Sequence, residues 1–427
     1  MKRSSRSGRI VSPNKRYFYT FLAWLILAFQ TVGCDVSLPS ASGLTEMDSP
    51  VGSNSRSPRL SQTTEGNPLL SWVEMGEDAA ILKFSTFEQG RWSAAQEVAR
   101  GDDWVVNGAD TPSVVQVSDS VFAAHWLVEN PASAFAYNVL TSFSLDRGET
   151  WSKTIMPHSD GTATEHGFVN LYNTGAPESY GIVWLDGRNS DMNPSSASAH
   201  AGGGVALYSA VVRLDGSISA EEPVDQLACD CCPTSVAQGP LGPIVAYRNR
   251  DESEQRDIFY SRLINGKWST PASVGFDDWH ITGCPVNGPA IASYADVVAV
   301  AWFTAAGGRK RIRLAISHDG GQVFEEPFEV AHGNVQGRVG VVLDASNQVT
   351  VSWLSVPTNG ELAEIQLRTY SLVEKNLQQI NQTSKTIASS KAQGLPVIAI
   401  GPEGSVILAW TDGSIRSPKV KVFGWLP

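Results

Sequence analysis

Two groups of residues could do chemistry in this chain. Cys229, Cys231 and Cys232 lie together in the segment CDCCPT, and Cys284 follows in GCPVNGP. In an oxidising compartment four such cysteines form two disulfides, while reduced they form a thiolate set that His280 or His166 could complete as a metal site. C-x-C-C lacks the spacing of a structural zinc site, so disulfides are expected, with their pairing left open, and neither a metal nor a cofactor is expected. The second group is cationic: Arg188, Arg248, Arg250, Arg309, Arg311 and Arg338. A guanidinium presents a planar fork of donors that matches carboxylate or phosphate oxygens. Arg188, Arg248, Arg250 and Arg338, with His280 and Asn287, are the expected ligand-binding residues. Asp186, Asp251 and Glu252 are the carboxyl groups expected to act as acid, base or nucleophile. The competing role for these charges is pairing with Asp186, Asp251 and Asp257 between neighbouring elements.

The elements that must position these groups form a repeat. Short apolar runs ending in an aromatic residue recur at Trp72, Trp126, Trp184, Tyr247, Trp302, Trp353 and Trp410, at intervals from 51 to 63 residues. That period matches a four-stranded propeller blade with variable loops. Each run is preceded by a strand opening near Gly or Pro, as in TPSVVQV from Thr111 and GRVGVVL from Gly337. An alternating strand follows, such as AILKFST or RIRLAIS, and most units close on a short fourth, such as QEVAR or FEVAH. Period-two alternation with β-branched and aromatic residues suits half-buried strands. The expected fold is all-β, a propeller of four-stranded blades, seven in number, with the aromatic residue on strand B packing between blades. The seventh unit stops after strand C, so closure requires an outer strand from the N-terminal side, between Ser42 and Arg56.

In such a ring the B–C and D–A connections meet at one mouth of a central channel. Repeat position brings Asp186, Arg188, Asn189, Arg248, Arg250, Asp251 and Glu252 there from B–C connections, with Arg309 and Arg311. Asp110, His166, the four cysteines, His280, Asn287 and Arg338 come from D–A connections.

The first residues read as a targeting segment rather than as structure. Lys2, Arg3, Arg6, Arg9, Lys15 and Arg16 precede the apolar stretch Phe18 to Phe29, which ends at Thr31-Val32-Gly33-Cys34. This pattern resembles a bacterial lipobox, which implies cleavage before Cys34, lipidation of Cys34 and a membrane-anchored protein of the cell envelope. Residues 1–33 are then the signal peptide, 34–56 a flexible tether rich in Ser, Gly and Pro, and 57–427 the propeller. The whole chain carries a formal charge of −11, and removal of the basic leader makes the rest more acidic still. So acidic a chain has no broad footprint for nucleic acid.

Two turns between strands C and D carry a specific pattern, Ser144-Leu-Asp146-Arg-Gly148-Glu-Thr150-Trp151 and Ser317-His-Asp319-Gly-Gly321-Gln-Val-Phe324. Both fit S-x-D-x-G-x-x-[WF], in which the carboxylate accepts turn N–H groups and Gly takes a positive φ. These turns resemble the Asp boxes, or bacterial neuraminidase repeats, of sialidase-like propellers, and the resemblance spans nearly the whole chain after the leader. It implies six blades as the alternative count, and an exo-α-sialidase or related glycoside hydrolase acting on an anionic sugar. In that family an arginine triad holds the carboxylate, a Tyr paired with Glu attacks, and an Asp is the acid. The chain departs from the pattern: the early F/Y-R-I-P element is reduced to Ser57-Pro58-Arg59-Leu60, and no Tyr–Glu pair stands out. Tyr247 reads as blade core. The expected partner is a glycan or other anionic small ligand bound by a monomer. The competing functions are a non-catalytic propeller binding an anion or a protein, and a metal site built from Cys and His.

Overall fold

The computed structural model describes residues 43–132, 136–190, 204–356, 362–373, 375–388, 395–414 and 417–427. The leader and Cys34 lie outside these residues. Among the described residues the strands form seven antiparallel sheets, six of them built in chain order and the seventh completed by the first strand, Thr45–Glu46, with helix limited to two single 3-10 turns. The fold is a seven-bladed propeller. Blade 1 comprises Ser55–Gln62, Pro68–Met75, Ala80–Glu88 and Gln96–Gly101; blade 3 comprises His166–Asn173, Ser179–Asp186, Val205–Arg213 and Glu222–Ala228. Blade 2 has three strands, and a lone bridge between Thr141 and Ile155 supplies its outer edge.

The recurrent aromatics explain why the blades stack. Each lies on strand B and packs against the blade before it: Trp126 among blade 1 residues Leu82 and Phe84, Trp184 against blade 2, and Tyr247 against blade 3. Trp302, Trp353 and Trp410 repeat this against blades 4, 5 and 6, and Trp72 packs on Ile407 and Val422 of blade 7. All seven are buried, at 3% exposure or less. Twisted sheets diverge around a ring, and one large ring per junction fills the wedge, contributing about 2–3 kcal/mol of apolar burial. Several of these side chains are also tethered by their polar end. Trp72 donates to Glu74 at 2.9 Å, Trp184 to Asp186 at 2.7 Å and Trp302 to Asp277 at 2.6 Å.

The two S-x-D-x-G turns have the hydrogen bonds their residues require. Ser144 Oγ donates to Asp146 Oδ1 at 2.7 Å, and the Gly148 and Thr150 amides donate to Ser144 Oγ and Asp146 Oδ1 at 2.8 and 2.9 Å. Ser317, Asp319, Gly321 and Val323 repeat this arrangement. Trp151 then meets Phe84 edge-on, and Phe324 meets Tyr260 in the same way, so each turn pins its blade to the preceding one.

Closure occurs where the sequence requires it. Thr45 and Glu46 pair with Gly424 and Phe423 as the outer strand of blade 7, and the Met47 amide donates to Val422 at 2.9 Å. The expected tether boundary is therefore corrected. Residues from Thr45 to Arg56 belong to the ring, because Val51 is buried in the blade 1–blade 7 junction and strand A of blade 1 begins at Ser55. Removing residues up to Ser53 should strip the outer strand from blade 7. The truncated protein is expected to lose on the order of 2–3 kcal/mol of stability in urea, from lost apolar burial alone. An unchanged midpoint would show that the pairing contributes nothing to closure.

Candidate functional site

The strand A segments surround a channel of about 450 Å³. Three of them open with a β-bulge, between Arg56 and Arg59, Gly167 and Asn170, and Gly337 and Gly340. At each bulge a non-glycine residue takes a positive φ: Ser57 at 56°, Phe168 at 52° and Arg338 at 57°. Such bulges re-aim side chains at the end of a strand. Here they set Arg59, Asn170 and Arg338 on the channel wall. Arg59 Nη2 donates to Asn170 Oδ1 at 2.8 Å, and Asn170 Nδ2 donates to Thr234 Oγ1 at 2.6 Å. Arg338 donates its amide to Asn287 Oδ1 at 2.9 Å and its guanidinium to the Val286 carbonyl. Of the described residues lining the channel, the charged ones are Arg59 and Arg338.

Beside this wall lies a carboxyl group in an unusual state. Asp110 is 2% exposed; its Oδ2 accepts the Phe168 amide at 2.7 Å, and its Oδ1 has no partner. Burial raises its pKa to about 7, against the opposing Phe168 and Val169 amides and the charge of Arg59. Glu165, in the connection into blade 3, is likewise raised to about 7, by burial first and then by the charges of Asp230 and Asp110. The Tyr137 hydroxyl is pushed well up by burial, Asp110 and Glu165 together. Gly167 makes the arrangement possible: a Cβ there would lie 2.1 Å from Asp110 Oδ2 and 2.6 Å from the Tyr137 ring. His125 completes the buried group, its pKa lowered to about 3 by burial and by the charge of Arg59.

The arginines named from sequence do not converge. Arg248 is 1% exposed and donates to the carbonyls of Asn287, Arg256 and Phe303 at 2.8, 2.6 and 2.8 Å. It ties blades 4 and 5 together, and burial lowers its pKa to about 9. Arg188 is bound to Asp186 and Glu221 and covers the Tyr208 ring. Arg250 pairs with Glu254. Arg309 pairs with Glu329 at 2.8 Å on the surface. Only Arg338 of the set lines the channel.

The expected catalytic carboxylates are placed for other work. Asp186 is fully buried and spends both oxygens on the Trp184 indole and on the Arg188 side chain and amide. Asp251 caps its own loop by accepting the amides of Ser253 and Gln255. Glu252 is exposed on that loop. His280 is exposed beside Asp278 and Ser253. Asn287 is buried and bridges blade 5 to blade 6 through Gln336 and Arg338.

The cysteines are paired as Cys229–Cys232 and Cys231–Cys284. A second cluster, His158, Asp160 and His166, has donors near one another. Its two imidazoles stack 3.8 Å apart at 5°. Lone pairs lie in the ring planes, so parallel stacked rings cannot both aim at one ion about 2 Å from each nitrogen. The cluster instead anchors its loop through hydrogen bonds. His166 reaches Asp160 at 3.0 Å, and the Val139 amide donates to His158 at 3.3 Å. Burial and the neighbouring His166 lower the His158 pKa to about 4.

Arg59, Tyr137, Glu165 and Asn170 were not assigned to the site from sequence, although Arg59 was visible in the Ser57–Leu60 echo. The available signal was positional: Asp110, Glu165 and Asp230 all fall in D–A connections of successive blades.

No family model matches the chain, and no curated protein matches it in sequence. Among solved structures it is similar to the NanB sialidase of Streptococcus pneumoniae, at 9% identity and TM-score 0.48, over 84% of this chain and 83% of that one. It is also similar to the α-L-arabinofuranosidase Arb93A of Fusarium graminearum, at 11% identity and TM-score 0.46, over 90% and 97%. A third is the α-L-arabinanase of Penicillium chrysogenum, at 10% identity and TM-score 0.44, over 90% and 98%. At such TM-scores none of them decides anything about this chain, whose architecture rests on its own strand pairing.

Asp110 binds its proton more tightly in the folded chain than in the unfolded one, between its ordinary 3.8 and about 7. Its contribution to stability is therefore fully present at low pH and is lost as pH rises through that window. Asp110→Asn removes the buried charge and should stabilise the protein at pH 8 by about 1–3 kcal/mol, while having little effect at pH 3, below the ordinary carboxyl value of 3.8. Equal effects at both pH values would contradict the assignment of a proton to this carboxyl.

Proposed function

We propose that the channel mouth binds an anionic sugar and that the protein is a glycoside hydrolase, with Asp110 and Glu165 as its carboxyl pair. The observation that carries this reading is the channel wall, where an acidic chain presents two arginines, Arg59 and Arg338, as its charged residues. A volume of about 450 Å³ suits a small glycan ligand. Arg59 and Arg338 would receive the sugar's anionic group, and Asn170 and Asn287 offer neutral hydrogen-bond partners beside them.

A glycosidic oxygen must take a proton as its bond breaks, so the enzyme needs an acid that is still protonated near neutral pH. Asp110, held at about 7 by burial, has that property and an unpartnered oxygen with which to use it. Glu165 is the second carboxyl, able to accept a proton from the attacking group, for which Tyr137 is the nearby candidate. Two carboxyl groups in this division of labour are the common solution to glycoside hydrolysis, with a tyrosine nucleophile as a recognised variant.

A panel of sialosides and uronides tests this proposal, with neutral glycosides as the comparison. Asp110→Asn should cut kcat about 10²–10⁴-fold with KM little changed, and Arg338→Met should raise KM for the anionic sugars only. For the wild type, kcat/KM should fall as pH rises above about 7, where Asp110 loses its proton. Absence of both turnover and saturable binding of any anionic sugar would overturn the proposal.

A further inference from the structure

The four cysteines differ in what can reach them. Cys229 and Cys232 are 0% and 1% exposed, whereas Cys284 is exposed and Cys231 half-buried. The Cys231–Cys284 bridge joins the loops that lead into blades 4 and 5, so one bond at the mouth is open to solvent and the other is not. The two bonds are also close together. Cys231 Sγ lies 3.9 Å from Cys229 Sγ, and the buried Arg256 guanidinium reaches Cys229 Sγ at 3.4 Å. That guanidinium also pairs with Glu254 at 2.8 Å and with Asp230 at 3.3 Å, which holds it in place against the Cys229 sulfur.

The loop held by Cys284 also holds an arginine of the channel. Main-chain bonds fix the loop up to Ile281, whose amide donates to Glu254 at 3.1 Å. Beyond Cys284, Val286 has φ 48°, a conformation that a β-branched residue keeps only where its surroundings impose it. Its carbonyl accepts the Arg338 guanidinium. The rest of the junction does not depend on the bridge: Gly288 approaches Pro233 so closely that a Cβ would lie 1.7 Å from its carbonyl oxygen, and the Ile291 amide donates to Ser235.

We propose that Cys284 is a thiol-exchange site, at which a small thiol opens the Cys231–Cys284 bridge and so releases the Val286 carbonyl from its hold on Arg338. The external thiolate attacks Cys284 Sγ, forming a mixed disulfide and breaking the bond to Cys231, which leaves as a thiolate. Cys231 then attacks Cys229 Sγ, forming Cys229–Cys231 and breaking Cys229–Cys232. The electron pair goes to Cys232, which takes a proton from water. Two protein disulfides and one thiol become one protein disulfide, one mixed disulfide and one thiol, so the exchange is balanced without any further oxidant. The internal step makes opening persist, because Cys231 is no longer available to restore the original bridge.

The test treats the folded full chain with glutathione under native conditions, quenches with an alkylating agent and maps the cysteine peptides by mass. The expected products are glutathione on Cys284, a Cys229–Cys231 linkage and an alkylated Cys232, with the circular dichroism of the native fold retained. In Cys231→Ser the relay is absent, so Cys229–Cys232 should survive at least tenfold longer than in the wild type. Arg338→Met, which leaves the cysteines in place, should give the same products. Loss of Cys229–Cys232 at equal rates in wild type and Cys231→Ser would overturn the proposal, as would reaction of all four cysteines only on unfolding.

Discussion

Closing a ring of twisted sheets fixes nearly everything else in this molecule. A sheet left at either end would expose an unpaired edge, and the wedge beside it would be unfilled. The chain meets both demands with its two ends. Thr45 and Glu46 supply the missing edge of blade 7, while Trp72 of blade 1 fills the last wedge against Ile407 and Val422. Once the ring is closed, all strand A segments face one axis, and the residues at their starts become neighbours although they are hundreds of positions apart in sequence. Arg59 and Arg338 share the channel wall for that reason alone.

Closure also uses up charge. Polar side chains buried between blades must find partners, since an unpaired one costs about 1–3 kcal/mol or more. Arg248 meets this requirement with three carbonyls, and Asp186 meets it with Trp184 and Arg188. The chemistry of these residues is thus consumed by the scaffold. Other buried atoms, such as His125 Nε2 and Ser352 Oγ, also lack a partner, but among the described residues Asp110 Oδ1 is the one buried carboxyl oxygen in that state. Such a group lowers stability when ionised, which is the expected signature of a residue retained for what it does.

The sequence made the architecture legible because the repeat is written in local terms. An aromatic residue lies toward the end of each strand B, a positive-φ glycine marks each S-x-D-x-G turn, and strands are read from their alternation. Even the closing strand followed from counting, since the last unit lacks its fourth. The site was less legible. Arg188 and Arg248 carry the residue type that binds anions, but the same type serves to join blades, and only their surroundings distinguish the two uses. Asp186 was misleading for the same reason, lying two residues beyond Trp184 where it receives the indole N–H. Asp110 owes its properties to burial and to Gly167 on another blade, neither of which leaves a local pattern. The cysteine pairing was open in sequence because it depends on which of four nearby sulfurs face each other.

The proposed chemistry requires that a carboxyl pair beside the channel wall, Asp110 and Glu165, hold protons near neutral pH. Carbon-13 NMR of side-chain-labelled Asp and Glu measures this directly, with Asp110→Asn and Glu165→Gln identifying the two resonances. Both are expected to titrate close to pH 7, and loss of either charge is expected to lower the midpoint of the other. Two resonances already fully ionised at pH 5 would contradict it.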